Sequence, residues 1–268
     1  MISPAEISKK YSEIGTAKAN LPLFKMLLLS IMAGIFISMA GVGASTASCL
    51  VKPAALSRLI SGMVFPAGLA MVLFAGSELF TGNCLLILPL LEKKITFFQL
   101  LRNWVVVYIG NLIGSLAVCA ICVYGGQFSL YNGQLAVSAV STAAAKCSLS
   151  FGDAFLKGIG CNFLVCIAVW IALGAKDMAG KMAGLYFPVL IFVVAGFEHC
   201  IANMFYIPAG LMAITCPEYL KLVLEAGVNI ENLNILNFAF TNLVPVTLGN
   251  IIGGGFIGAV YWACYLKD

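Results

Sequence analysis

The chain contains a single histidine, His199, which follows Glu198 inside a long apolar region. An ionised carboxylate in apolar surroundings is unfavourable unless a partner group or a function accounts for it. An unperturbed imidazole exchanges a proton near neutral pH, at about 6.5, and a neighbouring anion favours its charged form. His199 is therefore a candidate for proton exchange, with its charge coupled to an anion in the path, and a neutral histidine bonded between helices is the alternative.

The glutamate belongs to a pattern that occurs twice. Ala75–Asn83 and Ala195–Asn203 both follow A-G-x-E-x-x-x-x-N, and Gly110-Asn111-x-x-Gly114 is repeated as Gly249-Asn250-x-x-Gly253. Two matched patterns in the same order indicate an internal duplication. For the Gly-Asn pairs, close helix packing through small residues remains an open alternative to a role in the site.

Equivalent positions in the two segments suggest different roles. Glu78 and Glu198 are expected to accept hydrogen bonds from free N–H groups where a broken helix restarts, which we favour over proton carriage. Thr81 corresponds to Ile201, so a hydroxyl occurs in one half only and indicates function. Asn203, like its equivalent in the first half, is expected to tie loop backbone together.

The composition excludes a water-soluble protein. Hydrophobic residues make up 62% of the 268 positions, charged residues 10%, and the mean hydropathy is +1.03, whereas soluble domains are about 25% charged. The apolar stretches are long and continuous, which favours helices over a spanning β-barrel. A net charge of +4 gives no indication of nucleic-acid binding. The sequence therefore predicts an all-α polytopic membrane protein.

Charged and polar residues divide the chain into six predicted crossings, of which the second and fifth are broken by polar residues. They are Met26–Val51, Leu59–Leu91 with a break at Glu78, about Asn103–Tyr124, Gly158–Ala175, Tyr186–Thr215 with a break at Glu198-His199, and about Asn237–Leu266. Three crossings per repeat give the halves opposite orientations, so they are inverted repeats. Such folds place a substrate path at the repeat interface near the midplane.

The N-terminal segment is expected to form a separate interfacial helix over residues 1–22, with Ser3-Pro4-x-Glu6 as its capping sequence. Residues 23–268 form the predicted channel domain, with repeats at about 23–125 and 150–268. If the N-terminus is cytoplasmic, ten Lys and Arg residues face inside and five face outside, which favours cytoplasmic termini. The five outside residues are Lys52, Arg58, Lys146, Lys157 and Lys221.

Both interrupted segments resemble the signature regions of the formate/nitrite transporter family. The similarity is carried by Phe74–Asn83, Gly196–Met204 and Cys161–Cys166, and it extends over nearly the whole chain. It implies an aquaporin-like protomer in a homopentamer in the bacterial inner membrane, with a pore in each protomer. The permeants it implies are small monovalent anions of weak acids, namely formate, nitrite or hydrosulfide.

The resemblance also implies roles for individual residues, none of them catalytic. Its central threonine and histidine match Thr81 and His199, and its vestibule lysine matches Lys146, with Asn162 beside the path. We add Glu198 and Asn203 to the pathway. The constriction candidates are Phe65, Leu69 and Phe192, together with Leu79 and Phe80 from the first interrupted segment. No cofactor, metal or nucleic acid is expected, and membrane lipid surrounds the chain.

Three alternatives stay open. Lys146 follows a small, polar stretch, Ser138 to Ala145, which we expect to be irregular, so it is either an anion attractor or an exposed loop lysine. A channel for neutral solutes would not need that charge. An embedded enzyme is disfavoured, because a zinc hydrolase needs more ligands than one histidine provides. Formate is the preferred permeant, although one hydroxyl and one imidazole give little discrimination from nitrite or hydrosulfide.

Overall fold

The computed structural model describes residues 2–267, so that Met1 and Asp268, at the outer ends of the two predicted domains, lie outside the described residues. Helices follow one another along this range, joined by short turns. They are α1 Pro4–Ala19, α2 Leu23–Ser48, α3 Ala54–Ala75, α4 Phe80–Leu91, α5 Phe97–Tyr124, α6 Gln134–Cys147, α7 Phe151–Gly174, α8 Met178–Val194, α9 Cys200–Ala213, α10 Pro217–Glu225 and α11 Asn237–Tyr265. Strands are absent from residues 2–267.

Five of these helices are long and apolar enough to cross a membrane, namely α2, α3, α5, α7 and α11. A sixth crossing by the same test requires a bent pair, α9 with α10, whose axes meet at 97°. The shorter apolar helices are α4 and α8, and each adjoins a break. Because α8 and α9 repeat the arrangement of α3 and α4, the fold has six crossings, with the second and the fifth interrupted.

Helix α1 begins as its sequence predicts. The Ser3 hydroxyl accepts from the backbone N–H of Glu6, and the Glu6 carboxylate accepts from the backbone N–H of Ser3 at 2.7 Å, so that the capping box is complete. Pro4 occupies the first turn, where its missing N–H is not needed. Ile7 and Tyr11 are buried, which docks α1 on the rest of the protein.

Each interrupted crossing breaks at a glycine with a left-handed backbone. Gly76 has φ +79° and Gly196 has φ +70°, a region that residues with a Cβ rarely adopt. Four residues separate α3 from α4, and five separate α8 from α9. The breaks therefore occur in both halves at the positions that the repeated pattern predicts.

Two glycines explain how closely the long helices approach. A Cβ on Gly114 of α5 would lie 2.1 Å from the carbonyl oxygen of Ile31 in α2. A Cβ on Gly253 of α11 would lie 2.2 Å from the carbonyl oxygen of Ile159 in α7. For these glycines the packing interpretation is confirmed, since helices in such contact tolerate no side chain there.

Some sequence-based boundaries are wrong. The stretch Ser138 to Ala145 is not irregular but helical, inside α6, because alanine has the highest helix propensity of all residues. The third and fourth crossings begin at Phe97 and Phe151, several residues before the predicted starts. Charged side chains such as Arg102 lie within the helical ends, where long side chains can extend to the polar interface.

Candidate functional site

An asparagine holds the restart of the first broken helix. Oδ1 of Asn111 in α5 accepts from the backbone N–H of Phe80 at 3.0 Å. Its Nδ2 donates to the carbonyl oxygens of Glu78 at 2.9 Å and Ser30 at 2.7 Å. One amide therefore satisfies both sides of the break, where backbone groups have no helical partner.

The second half repeats this clamp. Oδ1 of Asn250 in α11 accepts from the N–H of Cys200 at 2.9 Å, and Nδ2 donates to the carbonyls of Glu198 at 3.0 Å and Gly158 at 2.7 Å. The predicted role of the glutamate carboxylates as acceptors for these first N–H groups is therefore wrong. The asparagine of each Gly-Asn pair, which reaches across from another helix, already fills that position.

The first glutamate belongs to a closed polar network. Oε1 of Glu78 accepts from Nζ of Lys18 in α1 at 2.7 Å, and Oε2 accepts from Nδ2 of Asn83 at 2.8 Å. Asn83 also donates to Oδ1 of Asn103 at 2.9 Å, and Asn103 donates to the carbonyl of Lys18 at 3.2 Å. The carboxylate is 5% exposed and is satisfied by side chains.

The second glutamate has an equivalent network. The Glu198 carboxylate accepts from Nζ of Lys146 in α6 at 2.8 and 2.9 Å and from Nδ2 of Asn203 at 2.7 Å. Asn203 donates to Asn242 at 2.7 Å, and Asn242 donates to the carbonyl of Lys146 at 3.1 Å. Asn203 therefore binds side chains, and the prediction that it ties loop backbone is wrong.

The two networks exclude the loop-lysine interpretation of Lys146 and extend the internal repeat. Lys146 is not a loop lysine, because it lies in the last turn of α6 with a side chain that is 16% exposed. Lys18 of α1 occupies the same place in the first half. The structural repeat thus includes α1 and α6, which the proposed repeat ranges of about 23–125 and 150–268 omit.

His199 is held in one orientation by both ring nitrogens. It caps α9, where Nδ1 accepts from the backbone N–H of Ala202 at 3.0 Å. Nε2 lies 3.0 Å from Oγ1 of Thr81. Since Nδ1 serves as an acceptor, the proton of the neutral ring is on Nε2, which donates to the Thr81 hydroxyl oxygen. Both residues are buried, with His199 3% and Thr81 0% exposed.

Asn162 fixes the backbone of this pair. Its Nδ2 donates to the carbonyl of Thr81 at 3.1 Å and to that of Asn250 at 2.7 Å, so it links the restart of α4 to α11. Sγ of Cys166 also contacts the Thr81 carbonyl, at 3.4 Å. Thr81 and Asn162 do not line either cavity described below, and they act on the site through His199 and the backbone.

A wide vestibule opens on one side of His199. Its volume is 510 Å³, and Glu198, His199 and Asn203 form part of its wall. Three cationic residues line it, namely Arg58, Lys146 and Lys157, against one carboxylate. Hydroxyl groups supply much of the remaining wall, from Ser45, Ser48, Ser57, Ser61, Ser138, Ser141 and Thr142.

The vestibule ends at a narrow apolar cavity of about 10 Å³, which is room for about one water. Phe65, Phe192 and His199 line both spaces and so mark the boundary. The rings of Phe65 and Phe192 meet edge to face with centroids 5.8 Å apart, and His199 stacks on Phe192 at 5.9 Å. The full wall is Ile37, Phe65, Leu69, Leu79, Val165, Val189, Phe192 and His199.

Four of the five constriction candidates meet in this cavity, namely Phe65, Leu69, Leu79 and Phe192. Phe80 does not, because its ring packs on Tyr108 with centroids 4.9 Å apart and on Trp104 at 6.0 Å.

Sequence reasoning missed Ile37, Val165 and Val189. The internal repeat is the signal that could have found Val189, because it corresponds to Leu69 as His199 does to Leu79. Ile37 and Val165 correspond to each other, so neither identifies the other in advance. Six of the eight wall residues are therefore three equivalent pairs, and Phe65 and Phe192 have no counterpart in the wall.

Comparison with known proteins agrees with this architecture. The family model described as "Formate/nitrite transporter" matches residues 5–263. The formate channel FocA of Escherichia coli (strain K12) is 37% identical, over 100% of this chain and 96% of its own length. The probable formate transporter of Methanothermobacter thermautotrophicus is 38% identical, over 99% and 98%. A solved pentameric formate channel with formate bound superposes with a TM-score of 0.83 at 41% identity, covering 91% of this chain and 98% of that one.

Proposed function

This chain belongs to the formate/nitrite transporter family, and on that premise we propose that it conducts small monovalent anions of weak acids, with formate as the main permeant. The observation that carries the proposal is a cationic vestibule that narrows to a dry cavity with one imidazole at the junction. Relatives named as formate channels, similar over the full chain, support the choice of formate.

The narrow cavity requires the permeant to lose its charge. A bare anion in a low-dielectric space is unfavourable by about 20 kcal/mol in idealised Born terms, whereas the neutral acid avoids most of that energy. The wall of the cavity offers one polar side chain, that of His199, beside seven apolar ones. Only the anion of a weak acid can become neutral by taking up a proton at accessible pH. The narrow cavity therefore restricts the anionic permeants to those of weak acids.

The vestibule supplies the first step. Lys146, Arg58 and Lys157 give it an excess of positive charge, which concentrates anions at the mouth. The Lys146 ammonium is bound by Glu198, so it attracts the anion without forming an isolated buried charge. The anion then takes up a proton near His199. Loss of hydration raises the proton affinity of the anion at this point, because the neutral acid is less dependent on water.

His199 and Thr81 guide the transfer. Nδ1 accepts from the Ala202 N–H, and this bond must break for the ring to take up a proton there, so His199 links uptake to pH. Nε2–H donates to the Thr81 hydroxyl oxygen, which fixes the imidazole in place, and this ring is the polar group that the permeant meets at the wall of the narrow cavity. The neutral acid then passes Phe65, Phe192 and Leu69, whose side chains move aside during passage.

We also propose that the protein is a homopentamer with one pathway per protomer and with both termini in the cytoplasm. A solved relative described as a pentameric formate channel supports the assembly. The distribution of Lys and Arg supports the orientation, with the cationic vestibule on the outer face. Residues 2–22 then lie on the cytoplasmic side, as an N-terminal helical segment ahead of the channel domain.

The test is formate uptake into proteoliposomes over pH 5 to 8. Replacement of His199 by Phe is expected to change the pH dependence of uptake, and charge reversal by Lys146→Glu to weaken anion uptake. Unchanged flux across this range in the His199→Phe protein would contradict the proposal. Uptake that ignores the Lys146→Glu reversal would favour a channel for neutral solutes.

Competition separates the anions of the family. Nitrite and hydrosulfide are as small as formate, and a site with one hydroxyl and one imidazole discriminates weakly between them. We expect both to compete with labelled formate in the same assay. If nitrite is taken up faster than formate at equal concentration and pH, the main permeant proposed above is wrong.

A further inference from the structure

Two cations of the vestibule are not used by the polar networks of the fold. The Lys146 ammonium donates to both carboxylate oxygens of Glu198. Within residues 2–267, no carboxylate lies within ion-pair distance of Arg58 or Lys157. Both line the 510 Å³ vestibule. Unpaired charges on the wall of a concave space strengthen its field more than exposed charges on a convex surface do.

The local backbone makes room for the guanidinium. A Cβ on Gly196 would lie 2.6 Å from Nη1 of Arg58, so the glycine leaves the space that Arg58 fills. At Gly76, the equivalent glycine, an added Cβ would have nothing within 4 Å. Lys157 is next to the same break, because its carbonyl accepts from the N–H of Glu198 at 3.3 Å.

The internal repeat shows that the fold does not need these charges. The N–H of Glu78 donates to the carbonyl of Leu29, as that of Glu198 does to Lys157, so Leu29 is the counterpart of Lys157. Met178 precedes Gly196 by the same number of residues as Arg58 precedes Gly76, so Met178 is the counterpart of Arg58. Apolar residues hold both positions in the other half, although the scaffold around them is the same.

We propose that Arg58 and Lys157 form an outer anion site in the vestibule that binds oxyanions carrying two or more negative charges. Two cations without a carboxylate partner, a polar wall that includes Ser45, Ser61, Ser138 and Ser141, and a volume far larger than a three-atom monoanion needs all suit such a ligand. Guanidinium binds two oxygens of one oxyanion at once. A site for formate alone would need neither the second charge nor the space.

An anion of this class cannot continue through the protein. The Born energy grows with the square of the charge, so a dianion in the narrow cavity is disfavoured about fourfold more than a monoanion. Sulfate also has no neutral form between pH 5 and 8. Such an anion therefore stays in the vestibule and competes with the permeant monoanion, a consequence that rests on the function proposed above.

Binding of labelled sulfate to the purified protein tests the site without transport. The Arg58→Gln/Lys157→Gln protein is expected to bind sulfate about tenfold more weakly than the parent at equal ionic strength. The matched control is Lys52→Gln/Lys221→Gln, which removes two exposed lysines of the same predicted face that do not line the vestibule. Equal weakening in the control, or no weakening in the test variant, would overturn the site.

Formate uptake tests the competition. Sulfate on the vestibule side is expected to raise the apparent KM for formate severalfold and leave the maximal rate unchanged, relative to chloride at matched ionic strength. The Arg58→Gln/Lys157→Gln protein should lose most of this effect. Inhibition that is the same in both proteins contradicts the proposal.

Two further outcomes separate this inference from the proposed function. Sulfate binding that depends on Arg58 and Lys157, in a protein that does not transport formate, would leave the site intact and refute the function. If the double variant does not fold, Arg58→Gln and Lys157→Gln alone are each expected to weaken sulfate binding about threefold. Parent-like binding by both single variants would overturn the site.

Discussion

The two halves of the molecule share a scaffold and differ in the groups that face the pathway. Each half has a Lys-Glu-Asn-Asn network and an asparagine clamp on its broken helix, with matching partners and similar distances. At the narrow cavity the halves diverge, since Leu79 in one corresponds to His199 in the other. Thr81 likewise corresponds to Ile201.

The comparison separates architecture from function. The networks and clamps that occur in both halves hold the breaks in place. The groups that occur in one half only are the His199 imidazole, the Thr81 hydroxyl and the two further cations of the vestibule. Thr81 comes from the first half and His199 from the second, and they meet at 3.0 Å. Neither half alone could form this pair, so the site exists only where the halves join.

The largest effect is expected from breaking one buried ion pair. Lys146→Met leaves the Glu198 carboxylate, which is 8% exposed as a side chain, without its cation. We expect the free energy of unfolding to fall by about 3–5 kcal/mol, and Lys146→Met/Glu198→Gln to recover most of it. Denaturant unfolding of the purified protein measures both. Lys18→Met is the matched variant in the first half. If only one of the two single variants lost stability, the two ion pairs would not be equivalent.

A smaller loss is expected from removing one clamp. Asn250→Leu leaves the N–H of Cys200 and the carbonyl of Glu198 without a partner, whereas the carbonyl of Gly158 keeps its helical one inside α7. An unsatisfied buried group lowers stability by about 1–3 kcal/mol. Asn111→Leu should have a similar effect, measured by the same unfolding transition. A difference of more than about twofold between the two losses would show that the clamps are not equivalent.

The divergent residues should change transport and not stability. Thr81→Val removes the oxygen that accepts from His199 Nε2, so we expect formate uptake to fall about tenfold. Ile201→Val, at the equivalent position, is the control and should keep parental uptake. The initial rate in proteoliposomes, normalised to inserted protein, is the measurement. Equal rates in both variants would remove the hydroxyl from the pathway.

The smallest effect concerns the starts of α1 and α6. Hydrogen bonds from the backbone N–H and hydroxyl of Ser3 lower the pKa of Glu6, so the capping box contributes stability above the ordinary glutamate pKa and loses it as pH falls through the lowered value. Acidification from about pH 6 to about pH 3 should therefore lower the protection of the first-turn amides of α1, measured as the exchange rate relative to the intrinsic rate at the same pH. Protection in Glu6→Gln should change less over this interval.

The other half is the internal reference for that measurement. Helix α6 starts after Gly133, which provides no side-chain cap, so its first turn should show no comparable change with pH. A similar loss of protection in both helices would mean that the capping carboxylate is not responsible.

The sequence predicts the breaks well because their causes are local. A glycine, a glutamate in an apolar run and a repeated asparagine can all be read directly from the sequence. The partners in this network are not visible, because Lys18 reaches Glu78 from α1 and Asn103 reaches Asn83 from α5. Their role follows only from the way the helices pack.

The wall of the narrow cavity is predicted only in part. Ile37, Val165 and Val189 lie in helices that are apolar on all faces, so hydrophobic periodicity cannot separate residues facing the cavity from residues facing lipid. Phe80 is the opposite error, a residue predicted in the wall that lies outside it, because its aromatic ring packs on a neighbouring helix. Equivalence between the halves identifies Val189 from Leu69 and gives no help with Ile37, Val165 or Phe80.

The size of the narrow cavity also bears on bioenergetics. A space for about one water molecule, walled by seven apolar side chains, cannot hold a continuous file of hydrogen-bonded water. Protons therefore have no relay along which to hop from one side to the other. Under the proposed mechanism, each acid molecule carries its own proton across, and the narrow cavity leaves the rest of the proton-motive force intact.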